Sequence, residues 1–386
     1  MNYRQLGKLG QRVSALGFGA MRLPTRGGKD SEIDEPAAIE MIRYALDHGV
    51  NYVDTAYPYH GGSSEVFLGK ALAGGYRERV LLATKLPIWN VHSLADCDRL
   101  LSEQLTRLQT DHVDVYLLHC LQQRWWPKLQ KLGVLDWAER ARAEGRIGHF
   151  GFSFHDTFEV FRRIVDAYDW SLCQIQYNLV NEDVQAGSRG LQYAVQRGLG
   201  VIVMEPLFGG TLANPPESVQ RIWQSGPVPH RPVDLALRWL WDKPEVSLVL
   251  SGMSTLEQVR ENVAIAGRSG AGSLTNEERR VIGRVQQEYE KLSPVPCTKC
   301  GYCMPCPHGV DIPRNFELHN QAFVFGGSSV GLCRNLSLGL SESERAEACE
   351  QCGTCEEACP QQIRISQRLP EVAEAFAAPK NSEKLG

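Results

Sequence analysis

Three stretches of the sequence end an apolar run on a side chain that can hold or move a proton. The first, Asn51–His60, carries a carboxylate at Asp54 and a phenol at Tyr59. The second run ends at Lys85 and the third at His119. Because parallel α/β folds place their chemistry at the carboxyl ends of buried strands, we expect these four side chains to meet at one edge of a sheet or barrel.

An acid, a phenol, an amine and an imidazole form a set suited to reducing a carbonyl group. A free tyrosine has a pKa of about 10, which an adjacent ammonium lowers, while a carboxylate keeps that ammonium charged. The interpretation makes Tyr59 the general acid, tuned by Lys85, with Asp54 as the partner of the lysine. His119 would donate a hydrogen bond to the carbonyl oxygen. Tyr57 is the alternative acid, but the five-residue offset from Asp54 favours Tyr59.

Strand-like and helix-like runs alternate up to about residue 265, which is typical of a parallel sheet. Counting from Ala15 gives eight strand–helix units in roughly 250 residues, the size of a (β/α)8 TIM barrel. An open doubly wound sheet is the alternative, but the stretch Gly17–Gly19 lacks the third glycine of a dinucleotide-binding turn. Later strands are predicted at His149–Phe152, Leu172–Gln176, Val201–Met204 and Val246–Leu250.

Composition excludes several classes of protein. A formal net charge of −4 with both signs interspersed gives no basic stripe, so a nucleic-acid partner is not expected. The sequence starts without an apolar signal region and contains no apolar run of about eighteen residues. We therefore predict a cytoplasmic protein without a membrane span.

Nine of the twelve cysteines lie beyond residue 296, which in a reducing compartment indicates a metal-binding module. The domains are accordingly predicted as 1–292 for the barrel and 293–386 for the tail. The cysteines form two runs closed by Cys-Pro, namely Cys297, Cys300, Cys303 and Cys306, then Cys349, Cys352, Cys355 and Cys359.

The second run has the bacterial ferredoxin spacing, in which the fourth cysteine of each run ligates the other cluster. This predicts two [4Fe-4S] clusters with crossed ligands. The first would take Cys297, Cys300, Cys303 and Cys359; the second would take Cys349, Cys352, Cys355 and Cys306. The first run has only two residues before its last cysteine, so Cys333 is an alternative ligand. A pair of zinc sites is the other interpretation of the spacing. Helices predicted at Ile312–Phe325 and Ser341–Ala348 favour an α-helical ferredoxin-like domain.

The barrel part resembles the aldo/keto reductase family, and with the tail the chain resembles its iron–sulfur branch. The resemblance rests on the four site residues in order and on short matches that include Asp54-Thr55-Ala56, Ser64-Glu65-x3-Gly69, Gly151-Phe152-Ser153 and Glu261-Asn262. It implies a bound nicotinamide, NAD(H) or NADP(H). Carried over by position, Ser153 and Gln174 would bind its carboxamide, and Glu261 and Asn262 its adenine.

The sequence departs from the family pattern at several of these positions. Phe154 and His155 follow Ser153 where the family has an asparagine, and Met204 stands where an aromatic ring stacks on the nicotinamide. Gly252 and Gln258 occupy the places of two cations that bind the 2′-phosphate, so the choice between NAD and NADP stays open. Arg260 is the nearby substitute, and Gln258 is also explained as part of a capping box with Thr255. Aromatic residues that either line a substrate pocket or pack on the barrel rim are Trp89, Trp125, Trp126 and Phe208.

Three hypotheses explain the two parts. The barrel is a nicotinamide-dependent oxidoreductase for a small carbonyl or alcohol, and the clusters are structural or regulatory. Alternatively, the clusters deliver single electrons to the barrel from an external one-electron donor, or accept them for an acceptor. In the third, the barrel is inactive and the tail is an electron-transfer module; the intact set of four residues argues against it.

Overall fold

The computed structural model describes residues 1–183, 185–225, 231–297, 301–325, 337, 340–359 and 361–377. Cys300 and Cys333 lie outside these ranges. The chain divides into two compact units, Met1–Ala213 with His230–Arg279 and Asn214–Pro229 with Arg280–Gly386. The described helices are all too short or too polar to cross a lipid bilayer.

The first unit contains a closed barrel of eight parallel strands in the order β10-β3-β4-β5-β6-β7-β8-β9. This confirms the TIM barrel and excludes the open sheet. A two-stranded antiparallel hairpin precedes it. The strands are β1 (Tyr3–Gln5), β2 (Arg12–Ser14), β3 (Leu16–Gly19), β4 (Tyr52–Asp54), β5 (Leu81–Leu86), β6 (Val113–Leu121), β7 (Ile147–Phe154), β8 (Leu172–Gln176), β9 (Gly200–Met204) and β10 (Leu248–Ser251).

Helices alternate with the barrel strands along the chain. Local capping signals set two of their starts: Ser93 and Asp96 form a capping box at α3. At α10, Thr255 accepts a hydrogen bond from the Gln258 amide, as the sequence predicted. The helices are α1 (Glu35–Asp47), α2 (Ser63–Ala71), α3 (Leu94–Leu108), α4 (Trp126–Leu132), α5 (Val134–Ala143), α6 (Phe158–Asp166), α7 (Gly187–Gln196), α8 (Glu217–Trp223), α9 (Pro232–Trp241), α10 (Leu256–Arg268), α11 (Asn276–Leu292), α12 (Ile312–Phe325), α13 (Thr354–Glu357) and α14 (Ile365–Phe376).

The β1–β2 hairpin closes the amino-terminal end of the barrel. Leu6 and Val13 are fully buried in one cluster with strand residues such as Leu172 and Leu248. The Lys8 amide donates a hydrogen bond to the Gly198 carbonyl just before β9. Because this end is plugged, the carboxyl ends of the strands are the open side on which a site can form.

The cysteine-bearing part of the second unit is built from helices and turns around a small core. Phe316 of α12 and Leu369 of α14 are buried in it, and Cys355 of α13 packs there too. The predicted helix at Ile312–Phe325 is confirmed. The helix predicted at Ser341–Ala348 is wrong: two 3-10 turns, Glu342–Glu344 and Ala346–Ala348, are separated by extended backbone at Arg345.

Candidate active site and cysteine groups

The four predicted proton-handling side chains converge at the open end of the barrel. Asp54 ends β4, Lys85 and His119 lie near the ends of β5 and β6, and Tyr59 follows β4 on a 3-10 turn. The Lys85 ammonium donates to Asp54 Oδ1 at 2.6 Å, to the Thr55 carbonyl at 2.8 Å and to the Tyr59 hydroxyl at 3.4 Å. Parallel strand ends thus bring together residues that lie up to 65 positions apart in the printed sequence.

Burial changes the pKa expected for the phenol. It raises the pKa of Tyr59 above its usual 10.0, and the opposing effect of the Lys85 ammonium does not cancel that rise. The expectation that Lys85 gives a net lowering of this pKa was therefore wrong. Burial also raises the pKa of Asp54 despite Lys85. Burial lowers the pKa of Lys85, but the combined charges and hydrogen bonds of Asp54 and Tyr59 outweigh it and raise that pKa.

His119 is uncharged in this environment. Burial, followed by the charge of Lys85, holds its pKa well below 6.5. Its ring lies edge-on to that of Tyr59, with centroids 6.0 Å apart. Among the described residues, His119 Nδ1 and Asp54 Oδ2 are buried polar atoms without a hydrogen-bond partner. The site therefore holds a neutral imidazole next to the phenol and keeps polar capacity for a ligand.

Tyr57, the alternative acid, is placed differently. Its hydroxyl donates to Glu103 at 3.2 Å, and its ring lies under the Arg107 guanidinium at 4.2 Å from the centroid. Only the hydroxyl of Tyr59, of these two phenols, has a hydrogen bond to Lys85 in the described contacts. The geometry favours Tyr59 as the acid.

The two residues that the family resemblance assigns to the nicotinamide carboxamide, Ser153 and Gln174, have different surroundings. Gln174 is 2% exposed, its Nε2 lies 3.7 Å from the Met204 sulfur, and its Oε1 has no partner among the described residues. Ser153 accepts a hydrogen bond from the Cys120 amide at 2.8 Å, so its hydroxyl already holds the backbone of β6. Phe154 is fully buried against Phe161 and leaves no amide at that place.

The positions carried over for the adenine and the phosphate are partly occupied by internal contacts. Glu261 pairs with Arg231 at 2.9 Å, and Asn262 donates to Ser251 Oγ at 3.1 Å. Arg260 lies over the Tyr44 ring, 5.4 Å from its centroid, and so does not supply the missing cation.

A cation that the sequence analysis missed lies near Gly252. The aliphatic part of Arg22 crosses this glycine, where a Cβ would stand 3.3 Å from the Arg22 side chain. One guanidinium nitrogen lies 3.7 Å from the place of a Cβ on Gly209. Arg22 thus brings positive charge to loops after β9 and β10. No local pattern distinguishes it from other exposed arginines.

The sequence left two interpretations for four aromatic residues of the loops, lining a substrate pocket or packing on the barrel rim. Trp89 contacts His119, with ring centroids 5.1 Å apart, and so borders the site. Trp126 is 6% exposed and packs on Trp170, which is barrel packing. The Trp125 ring has two cations near it, Arg124 at 5.3 Å and Lys128 at 5.8 Å from its centroid. Phe208 is half-buried.

The described cysteines of the second unit form two groups, each drawing on both runs. Cys297 and Cys303 of the first run line one cavity together with Cys359 of the second. Burial raises the pKa of the Cys355 thiol to about 11, and the nearby thiols of Cys349 and Cys306 contribute to the rise.

Cys352 and Cys300 are the remaining ligand candidates. Cys352 is exposed, and a hydrogen bond with Thr354 lowers its pKa. Cys300 lies outside the described residues. Among the described residues, no group of three or more His, Cys, Asp or Glu side chains is placed so that it could hold a metal ion.

Comparison with known proteins agrees with the fold. The model of the aldo/keto reductase family matches residues 15–268, and a 4Fe-4S dicluster domain model matches residues 296–364. L-galactose dehydrogenase from Arabidopsis thaliana is 32% identical over 295 residues, covering 68% of this chain and 86% of that protein. An uncharacterized oxidoreductase, YrpG of Bacillus subtilis, is 27% identical and covers 68% and 90%.

Solved structures give the same result. The holo form of aldo-keto reductase AKR11C1 from Bacillus halodurans has a TM-score of 0.62 and 28% identity, covering 74% of this chain and 96% of that one. An aldo-keto reductase from Klebsiella pneumoniae in complex with NADPH has a TM-score of 0.61 and 25% identity, with the same coverage.

The closed (β/α)8 barrel and these matches together define an oxidoreductase of the aldo/keto reductase type. The chain belongs to the aldo/keto reductase family and carries a 4Fe-4S ferredoxin-type domain at its carboxyl end.

Proposed function

We propose that the barrel reduces the carbonyl group of a small aldehyde, ketone or sugar-derived substrate, or oxidises the corresponding alcohol. Tyr59 is the proton donor in this proposal, and a nicotinamide is the reductant. The observation that carries it is the contact of the Tyr59 hydroxyl with the Lys85 ammonium, itself paired with Asp54, at the open end of the barrel.

The chain's own residues handle the proton and the developing negative charge. Tyr59 enters the reaction protonated, since burial raises its pKa. As charge builds on the substrate oxygen, the phenol gives up its proton to it, and the resulting phenolate is stabilised by the Lys85 ammonium. Asp54 keeps that ammonium charged. Neutral His119 has one N–H to donate to the same oxygen, which fixes its position.

A nicotinamide fits one feature of the site well. Gln174 Oε1 is a buried acceptor without a partner in the described residues, and the carboxamide N–H is a matching donor. When bound, a reduced nicotinamide supplies the hydride to the carbonyl carbon. Arg22 adds positive charge near Gly209 for a phosphate. Gly252 and Gln258 supply none, so we expect weak discrimination between NADP and NAD.

The tail is proposed to hold two [4Fe-4S] clusters with crossed ligands. Support comes from the two groups of thiols, since Cys359 lies with Cys297 and Cys303, and Cys306 with Cys349 and Cys355. Cys300 and Cys352 complete the two sets. Such clusters exchange one electron at a time, whereas hydride transfer moves two electrons together.

A second candidate function follows from the altered carboxamide pocket. Ser153 is engaged with β6, and Phe154 supplies no polar group. In this alternative the clusters pass two electrons, one at a time, from an external donor to the barrel. Tyr59 still protonates the product oxygen, and water supplies the proton that ends on the carbon. It places the protein among electron-transfer enzymes that use no nicotinamide.

One anaerobic experiment separates these functions. Reconstituted protein is titrated with NADH, NADPH and dithionite while the cluster absorbance and the reduction of a panel of small aldehydes and ketones are followed. Turnover with a nicotinamide supports the first function. Turnover only after dithionite, without nicotinamide binding, supports the second.

The test of the acid uses Tyr59→Phe with Tyr57→Phe as its matched control. Tyr59→Phe should lower kcat by about 10²- to 10⁴-fold, because general acid catalysis has this typical size. Tyr57→Phe keeps the ring on Arg107 and should retain most of the activity. Full turnover in Tyr59→Phe would refute the proposed acid.

A further inference from the structure

Glu65, in the first turn of α2, is a charged side chain with no exposure at all. Its Oε1 accepts hydrogen bonds from Thr84 Oγ1 and Gln104 Nε2, both at 2.6 Å. Its Oε2 accepts one from Arg107 at 3.3 Å. A buried carboxylate is costly unless it is paired and hydrogen-bonded, and each oxygen here is occupied. The site described above does not use it.

The partners of Glu65 hold the strand that carries Lys85. Thr84 and Lys85 are consecutive in β5, so their side chains point to opposite faces of the barrel wall. Gln104 Nε2 also donates to the Lys85 carbonyl at 3.0 Å. Asp54 thus fixes the ammonium inside the barrel, and the Glu65 cluster fixes the same residue's backbone from the helix side.

Ser64, which precedes Glu65 in the same turn, contacts a residue that binds the Lys85 ammonium. The Ser64 hydroxyl lies 2.8 Å from Thr55 Oγ1 and donates to the Ala20 carbonyl at 3.1 Å. The Thr55 carbonyl accepts a hydrogen bond from the Lys85 ammonium at 2.8 Å. The first turn of α2 therefore supports Lys85 in two places. Glu65 acts through the residues next to the Lys85 backbone, and Ser64 acts through Thr55, which accepts a hydrogen bond from the Lys85 ammonium.

We propose that Glu65 is a positioning residue for the reaction: through Thr84 and Gln104 it sets the place of Lys85 relative to Tyr59. The inference rests on the proposed function of the barrel site. It predicts that the length of the Glu65 side chain, rather than its charge, determines the rate. A displacement of about 1 Å in such a contact is enough to change a rate by about 10²-fold.

The test compares Glu65→Asp, Glu65→Gln and Glu65→Ala. Gln keeps an acceptor oxygen for Thr84 and Gln104, whereas Asp keeps the charge and withdraws the oxygen by one methylene. We expect kcat to fall about 10- to 100-fold in the Asp and Ala variants and to stay within about threefold in Gln. KM values should change less than kcat. If Glu65→Ala fails to fold, the Asp and Gln variants decide.

The control is Asp114→Asn, which weakens the opposite end of the same strand. Asp114 accepts a hydrogen bond from the Leu82 amide at 2.9 Å and pairs with Arg77. It should lower the unfolding midpoint without lowering kcat. An equal loss of kcat in Asp114→Asn, or wild-type kcat in Glu65→Asp, would overturn the proposal.

A second readout does not depend on turnover. The rate at which an amine-directed reagent labels Lys85 is measured by mass spectrometry as a function of pH. Glu65→Asp should label faster than wild type or Glu65→Gln, because a displaced ammonium loses contacts; equal labelling profiles would count against the positioning role. If wild type labels as expected but reduces no carbonyl, the proposed function fails and not the positioning.

Discussion

At the scale of single residues, burial decides the protonation states of the site. Sequence reasoning predicted that these four side chains meet, because Asp54, Lys85 and His119 each end a short apolar run and Tyr59 follows the first of them, and the structure brings them together. It gave the wrong net direction for the pKa of Tyr59, because a printed sequence shows the neighbouring lysine but not how far the phenol is removed from water. For Tyr59 the loss of hydration outweighs the ammonium.

The pH dependence of turnover follows from these directions. The pKa of Tyr59 lies above 10.0 and that of His119 well below 6.5, so the phenol stays protonated and the imidazole neutral between them. We expect kcat for carbonyl reduction to be level between about pH 6.5 and 10. Alcohol oxidation needs the phenolate, so its rate should still rise at pH 9.

Rapid-mixing measurements of the chemical step over this range check the prediction. His119→Gln serves as the control, because it removes the imidazole without touching the contact of Tyr59 with Lys85. A reduction rate that falls with a midpoint near pH 8 in both proteins would show that the phenol ionises earlier than its burial implies.

At the scale of elements, the register of β6 determines where His119 stands. The pairing of β6 with β7 is irregular between Leu118 and Leu121, and Cys120 adopts a φ of 54°, in the left-handed region. The Cys120 amide, which lies in this irregular part of the β6–β7 pairing, donates a hydrogen bond to the Ser153 hydroxyl. A structural role for Ser153 therefore accompanies the carboxamide role that the family resemblance implies.

Replacing Ser153 by Ala separates the two roles. The loss of a buried acceptor should lower the free energy of unfolding by about 1–3 kcal/mol, and kcat should fall because His119 is no longer fixed. A pure carboxamide contact would instead raise KM for the nicotinamide without changing stability. Denaturant unfolding and steady-state kinetics distinguish these results.

Ser247→Ala is the matched control for this comparison. Ser247 is 6% exposed and accepts a hydrogen bond from the Val201 amide at the other end of a barrel strand. It should show a similar loss of stability with unchanged kcat. If both variants kept wild-type stability, the hydroxyls would contribute nothing to the strand ends.

The sequence predicted regular elements well and irregular ones poorly. The barrel strands are short apolar runs, and the prediction at Leu172–Gln176 coincides with β8. The bulge at Cys120 depends on contacts with β7 and left no local signal. Gln104 did leave one, a polar residue within the buried face of α3, but its partner Glu65 comes from α2 and spacing cannot reveal that.

At the scale of the whole molecule, the two parts differ in how they would transfer electrons. The hydride transfer proposed for the barrel moves two electrons together, whereas an iron–sulfur cluster exchanges one at a time. Family models match both parts of the chain. The spacing of the cysteines predicts crossed ligand sets, because in the ferredoxin pattern the fourth cysteine of each run ligates the other cluster. The two 3-10 turns that stand in place of the predicted helix at Ser341–Ala348 were not predicted, since the residue pattern there is that of a helix.

Each cysteine run should therefore contribute one ligand to the cluster of the other. Wild-type protein should contain about eight irons and as many labile sulfides, and two zinc sites would give neither. Cys306→Ser and Cys359→Ser each remove a single thiol, but from different groups. We expect each variant to lose the contribution of one cluster, and the two variants to lose different ones.

Iron and sulfide analysis with electron paramagnetic resonance of the dithionite-reduced proteins tests this. Cys97→Ser, which changes a fully buried thiol in the barrel, is the control and should retain both signals. Because crossing pairs Cys306 with the second run, Cys306→Ser should leave the same surviving signal as Cys349→Ser. If it instead matched Cys297→Ser, each run would hold its own cluster, and the fourth ligands would have to be reassigned.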